Sequence, residues 1–436
     1  MSLRSLLMPV VSQRWLSRGR LLKLRAKAER ARRARGEPHV LDYFHQVDDP
    51  YSALLAGALP ALQQRYEVQI RPHVVAPPTD AAAPDRARLV AYSRRDAALL
   101  SRRHGLGYVD PGHQPDAAAV ADVTAALVAA VQDELFVQLA GPLSQAMWQC
   151  TAQQGTRPDA VRQASAADVQ QHLGHSQALR QRLGHYLGAT LHYAGEWVWG
   201  LDRLHHLESR LQDLGAQRPG VSGWLFPPAA DLATATRPAQ AKSIDFFFSL
   251  RSPYSAIVTP RLFELGRLTG TPVRLRYVLP MVMRGLAVPR DKRVYISTDA
   301  AREAHLRGVP FGRLNDPVGR PVERGLSLLP LAERQGLGQA YVRSFMQGVW
   351  AEGLDAGSDR GLRRIAERAG LAWGDAQAAM QDEAWRQAAE LNRQELLSLG
   401  LWGVPSFRVG DTAVWGQDRL WAVQDALLGR GIQHER

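Results

Sequence analysis

Ser252 sits where an apolar run gives way to a helical pattern. In Ile244–Thr259, IDFFFSLRSPYSAIVT, the short aromatic run suits a buried strand. Pro253 suits the first turn of a helix, where a missing N–H costs nothing. Ser252 is then the N-cap, among free N–H groups at the positive end of the helix dipole. Such a place stabilises an anion, a thiolate included. Two later stretches carry compatible chemistry. In Gly403-Val404-Pro405-Ser406-Phe407 a proline opens a strand, which only an edge or bend tolerates. In Trp415-Gly416-Gln417-Asp418-Arg419-Leu420 a strand turns into the last helix. N–H groups at such a turn suit a carboxylate, and Asp418 suits an ammonium. Each stretch also has a plainer reading, as a helix cap, a turn proline and a second cap.

Together, at their spacing across 243–430, the three stretches resemble the thioredoxin-like proteins of the DsbA superfamily. Within it they look most like the branch of 2-hydroxychromene-2-carboxylate isomerases and kappa-class glutathione transferases. The resemblance implies an α/β thioredoxin-like fold with glutathione as co-substrate. It implies that Ser252 faces the glutathione thiol and that Pro405 is cis. Val404 would offer its backbone to the cysteinyl part, as a small strand addition. Gln417 and Asp418 would receive the γ-glutamyl end. The implied activity is isomerisation of a conjugated small-molecule electrophile. A thiolate stabilised by Ser252 and the helix N-terminus adds, rotation follows, and the thiolate leaves. One departure is visible. The Gly-Asn-Pro-Pro-like stretch of the family is replaced by Arg284-Gly285-Leu286-Ala287-Val288-Pro289-Arg290, without its Asn. Arg251, just before Ser252, reads either as solvent-facing or as adding positive charge near the thiolate.

The chemistry-bearing pattern occurs twice. Asp42, Phe44, Pro50, Tyr51, Ser52 and Ala53 match Asp245, Phe247, Pro253, Tyr254, Ser255 and Ala256, each 203 positions later. Trp199-Gly200-Leu201-Asp202-Arg203-Leu204 matches Trp415–Leu420 at five of six positions, 216 later. Two blocks in the same order read as tandem copies. The first copy has lost its site: Asp49, beside Asp48, replaces Ser252, Ala189 replaces Pro405, and Leu201 replaces Gln417. Two acids there would repel a thiolate. This copy reads as a scaffold or partner-binding domain. A wholly non-catalytic binding protein is the alternative for the chain. Thiol–disulfide exchange is disfavoured, because Cys150 is the one cysteine and no Cys-x-x-Cys exists. Cys150 itself reads as a buried residue, and the histidines of the first copy show no metal-ligand spacing.

The elements that must position these residues follow the same plan in each copy. A strand, a helix and a second strand come first, at 40–46 and 67–75, and at 243–249 and 273–279. A helical insert follows, roughly 85–182 and 298–398, and two short strands with a last helix close the copy. The fold class is therefore two tandem thioredoxin-like domains, each with a helical insertion. The expected domains are a basic arm at 1–36, a degenerate copy at 37–216, a linker at 217–242 and a glutathione-type copy at 243–436. Trp224, Leu225 and Phe226 predict that the linker packs on a domain.

The 436 residues and 45% hydrophobic content fit about two to three globular domains. The net charge of +12 is concentrated. Residues 1–36 hold eleven Lys and Arg and one acid, whereas the rest holds 43 basic and 41 acidic residues. A nucleic-acid-binding body is thereby not supported, and sequence-specific nucleic-acid recognition is not expected. The arm reads as a basic helix, either solvated or in weak contact with a membrane surface or RNA. Its Arg-rich, acid-poor start also resembles a mitochondrial transit peptide, and no secretory signal is clear. No transmembrane run is present, and the expected location is cytoplasmic, with a peripheral membrane contact allowed.

Overall fold

The computed structural model describes residues 3–149 and 162–430. The reading of Cys150 lies outside them. The chain divides into two compact units, Arg25–Pro228, and Met1–Leu24 with Ala229–Gly431. Two helices open the chain, α1 (Leu3–Leu16) and α2 (Arg18–Ala34). The expected basic helix is here two helices, each with contacts to its own unit. Ser12 Oγ of α1 accepts from Leu314 N–H at 3.1 Å, and Asn315 Nδ2 donates to Ser5 O at 3.1 Å. Arg25 of α2 makes a bidentate pair with Glu196 at 2.8 and 2.7 Å. α1 is therefore covered on one side within its own unit, whereas α2 is held in the other unit through the Arg25 pair.

In the unit 25–228, β1 (His39–His45) leads through α3 (Pro50–Arg65) to β2 (Val68–Val74). The insert is α4 (Arg86–His104), α5 (Ala117–Gln132), α6 (Phe136–Gln149) and α7 (Ala166–Leu183). Strands β3 (Thr190–Tyr193) and β4 (Glu196–Trp199) and helix α8 (Leu204–Asp213) close it. The sheet order is β2-β1-β3-β4, with β1 and β2 parallel and the other pairs antiparallel. Beyond α8, Leu225 N–H donates to the buried Glu208 carboxylate and Trp224 Nε1 to Ser209 Oγ. That stretch is packed, as its aromatic residues predict.

In the second unit, β5 (Ile244–Phe248) leads through α9 (Pro253–Thr269) to β6 (Val273–Tyr277). The insert is α10 (Arg290–Leu306), α11 (Arg320–Ser327), α12 (Leu329–Arg334), α13 (Gly338–Trp350), α14 (Asp359–Arg368), α15 (Trp373–Ala379) and α16 (Ala384–Ser398). Strands β7 (Ser406–Val409) and β8 (Thr412–Trp415) and helix α17 (Leu420–Leu428) complete it. The order is β6-β5-β7-β8, with the same pattern of parallel and antiparallel pairs. All five residues of β5 are buried, so its run, apolar but for Asp245, has no polar alternation, as suits a strand covered on both faces. Phe246 stacks on Phe248 at 5.0 Å and on Phe407 at 5.6 Å.

The two sheets repeat their buried charges. Asp42 accepts from Arg71 at 2.6 Å and His73 at 2.9 Å. At the matching place Asp245 accepts from Arg408 at 2.8 and 2.6 Å and from Arg276 at 3.3 Å. The inserts repeat a link too. Tyr51 Oη donates to Asp96 at 2.7 Å, and Tyr254 Oη to Asp299 at 2.8 Å. Each ties the helix after the first strand to the first helix of its insert. No helix among the described residues is long and apolar enough to cross a membrane.

Candidate active site

Ser252 is the N-cap of α9, with extended backbone and its Oγ accepting from Ser255 N–H at 3.1 Å. The cap reading therefore holds, yet it uses only a lone pair. The hydroxyl hydrogen is aimed at Val404 O, 3.4 Å away. That contact is long and easily exchanged. The Val404–Pro405 peptide is cis. Val404 is partly exposed, and its N–H donates to nothing among the described residues. A hydroxyl donor, a backbone donor and the N-terminus of a helix of 17 residues thus meet at one point.

The turn after β8 lies beside this point, because Gly416 N–H donates to Pro405 O at 2.9 Å. Gly416 has φ +122°, and a Cβ there would strike the Asp418 carboxylate. That carboxylate is folded back over the turn, 3.4 Å from Arg419, and stays partly exposed. Gly403 is needed as well: a Cβ there would strike the Trp415 ring. Gln417 differs from expectation. Its side chain is buried, donating to Glu303 at 2.8 Å and accepting from Arg261 at 2.8 Å. It is committed inside the unit. Arg251 is not a solvent-facing residue either. It forms a bidentate pair with Asp316, both bonds 2.7 Å, so its charge is matched next to Ser252.

Four residues here escaped the sequence reading. Ser255 is fully buried and its Oγ has no hydrogen-bond partner. The neighbouring unit explains this. There Ser52 Oγ receives the Ala189 N–H at 2.9 Å. Pro405, at the same place, has no N–H to give. Glu303 and Arg261 belong to the buried chain around Gln417, whereas the matching residues Leu100, Ala58 and Leu201 are apolar and buried. No repeat signal could reveal residues that one copy lacks. Lys292 of α10 lies over the Trp402 ring at 5.8 Å, two residues before Val404 in the chain of that ring. Burial pulls its ammonium down to about 8.

In the first unit Asp49 caps α3 and accepts from Tyr51 N–H, Ser52 N–H and Ser52 Oγ. Burial and the charge of Asp48 push its carboxyl up to about 7. Ala189 N–H, which Pro405 lacks, is taken by Ser52 Oγ. A cleft of about 300 Å³ beside Asp231, Arg261 and Arg307 lies two turns along α9 from Ser252.

Residues 243–428 match the family model of the DSBA-like thioredoxin domain, and this region has the α/β fold of that family. Among curated relatives, the 2-hydroxychromene-2-carboxylate isomerase of Sphingobium xenophagum is 28% identical, over 43% of this chain and 98% of its own length. That of Pseudomonas sp. (strain C18) is 24% identical, over 44% of this chain and 93% of its own. A solved 2-hydroxychromene-2-carboxylate isomerase structure matches at 24% identity with a TM-score of 0.38, over 43% of this chain and 94% of that one.

Proposed function

We propose that residues 243–428 form a glutathione-dependent isomerase site of the 2-hydroxychromene-2-carboxylate isomerase type, and that residues 37–216 are a degenerate copy of the same fold. The observation that carries the reading is the Ser252 hydroxyl, capped on one side and loosely held by Val404 O on the other. Bound glutathione would supply a thiolate nucleophile toward a conjugated substrate. The chain's own residues do the rest. Ser252 turns its hydrogen from Val404 O to the sulfur, and the α9 N-terminus favours the anion. The free Val404 N–H holds the peptide part. The turn N–H groups suit the γ-glutamyl carboxylate and Asp418 its ammonium. Lys292 supplies a cation for a carboxylate-bearing substrate, which the relatives' name describes. The degenerate copy is supported by the repeated sheet order, the Asp42 and Asp245 clusters and the two Tyr–Asp links.

A kinetic assay of the full chain with 2-hydroxychromene-2-carboxylate and glutathione tests this reading. Ser252→Ala should lower kcat about 10²–10³-fold, the range for losing one donor to a developing anion. Asp49→Ala should leave the rate unchanged. The reading fails if turnover needs no glutathione, or if Ser252→Ala is as fast as wild type. The committed Gln417 side chain and the missing Asn favour a second reading, a scaffold without turnover, which a folded but inactive wild type would support.

A further inference from the structure

One face of α1 is covered and the other is bare. Inward, Pro9 and Ser12 are buried, Asp316 N–H donates to Met8 Sδ at 3.2 Å, and Ser12 bonds Leu314. Outward, Leu6, Leu7, Val10 and Val11 expose 54, 53, 51 and 62% of their surface. Leu7, Val10, Val11 and Arg14 recur at i, i+3, i+4 and i+7, which places them on one stripe of a helix. Three aliphatic side chains on that stripe, with Leu6 beside it, are more than the scattered apolar residues of an ordinary surface. The chain that follows is basic. Arg14, Arg18, Arg20 and Lys23 are all exposed, and the first acid is Glu29.

We propose that this face of α1, with the basic residues after it, docks the protein on an anionic lipid surface. Aliphatic side chains enter the boundary between headgroups and acyl chains, while Arg and Lys side chains reach back to the phosphates. Each basic residue near such a surface adds attraction that salt screens. The pairing of the two chemistries selects the partner. An RNA backbone would use the charges but would leave four aliphatic side chains in water. A second copy of the chain would cover the aliphatic face but would bring the same positive charges against these. The inward contacts of α1 leave the stripe free, so docking needs no unfolding. This inference is independent of the site at Ser252.

The test is sedimentation of the full chain with phosphatidylcholine vesicles, with and without about one third phosphatidylglycerol. Binding should be at least tenfold stronger with the anionic lipid and should fall as salt rises. The double variant L7S/V11S should lose at least fivefold at every salt concentration. The triple variant R14Q/R18Q/K23Q should lose the dependence on anionic lipid. Because all five side chains are exposed, circular dichroism should show each variant folded as wild type. Equal binding to both vesicles, or full binding by L7S/V11S, overturns the proposal. So does polyuridylate binding that L7S/V11S leaves intact in a chain that ignores vesicles, or dimerisation lost in L7S/V11S without vesicle binding.

Discussion

Asp49 and Ser252 cap equivalent helices, and the difference of one side chain decides what each helix end can hold. A serine cap leaves a hydrogen to donate; an aspartate cap brings acceptors only. Asp49 also carries a testable pH signature. Its folded carboxyl lies at about 7, above the ordinary 3.8. A raised acid contributes stability that is fully present below about pH 4 and is lost as pH rises through 7. Asp49→Asn keeps a good cap and cannot titrate. The variant should therefore gain on wild type as pH rises from 4 to 7, by about 1–3 kcal/mol given the partial exposure of the group. Denaturant unfolding at a series of pH values measures it, and a constant difference between the two proteins would refute it. Residue by residue, the placement of the candidate site was legible where a type carries its own chemistry. Ser252, Val404 with Pro405, and Asp418 come together at one turn. The Gln417 side chain was misplaced, because its partners Arg261 and Glu303 lie far off in sequence and have no counterpart in the first copy. Arg251 was misplaced for the same reason, since Asp316 sits in the insert.

At the level of the element, each sheet carries a buried carboxylate in its first strand, clamped by bases from the two strands beside it. Asp245 is 3% exposed and bonds Arg408 and Arg276. Asp245→Ala removes the shared acceptor and leaves clustered arginines that Glu395 alone must balance. Breaking a fully buried pair costs about 3–5 kcal/mol; with arginines partly exposed, a loss of about 2–4 kcal/mol is expected. Urea unfolding reads it directly, and a loss below about 1 kcal/mol would mean that the cluster is incidental. The strands were legible because β5 is a short aromatic run broken only by Asp245 and because the doubled blocks fixed the matching positions. The insert was legible as helical but not in its parts. Seven helices stand in 290–398, and the Tyr254–Asp299 link between insert and site helix joins residues 45 apart.

For the whole molecule, the charge map was legible while the fate of the arm was not. Composition shows a +10 segment ahead of a nearly neutral body. It does not show that α1 has a covered side, because the covering residues Leu314, Asn315 and Asp316 come some 300 positions later. The chain thus couples one unit with an open helix end, one with a closed helix end, and an anchored basic segment.

The account's central claim is that the open helix end at Ser252 takes glutathione and that the closed one at Asp49 does not. Isothermal titration of the full chain with glutathione tests it most directly. One site per chain is predicted, with a dissociation constant at or below the millimolar range. Asp418→Ala should weaken it by about 1–3 kcal/mol, the range for a charge-assisted hydrogen bond. Ser252→Ala should hardly change the affinity for an analogue with alanine in place of cysteine, and Asp49→Ala should change nothing. A folded wild-type chain that gives no binding heat at millimolar glutathione, at more than one temperature, would contradict the account.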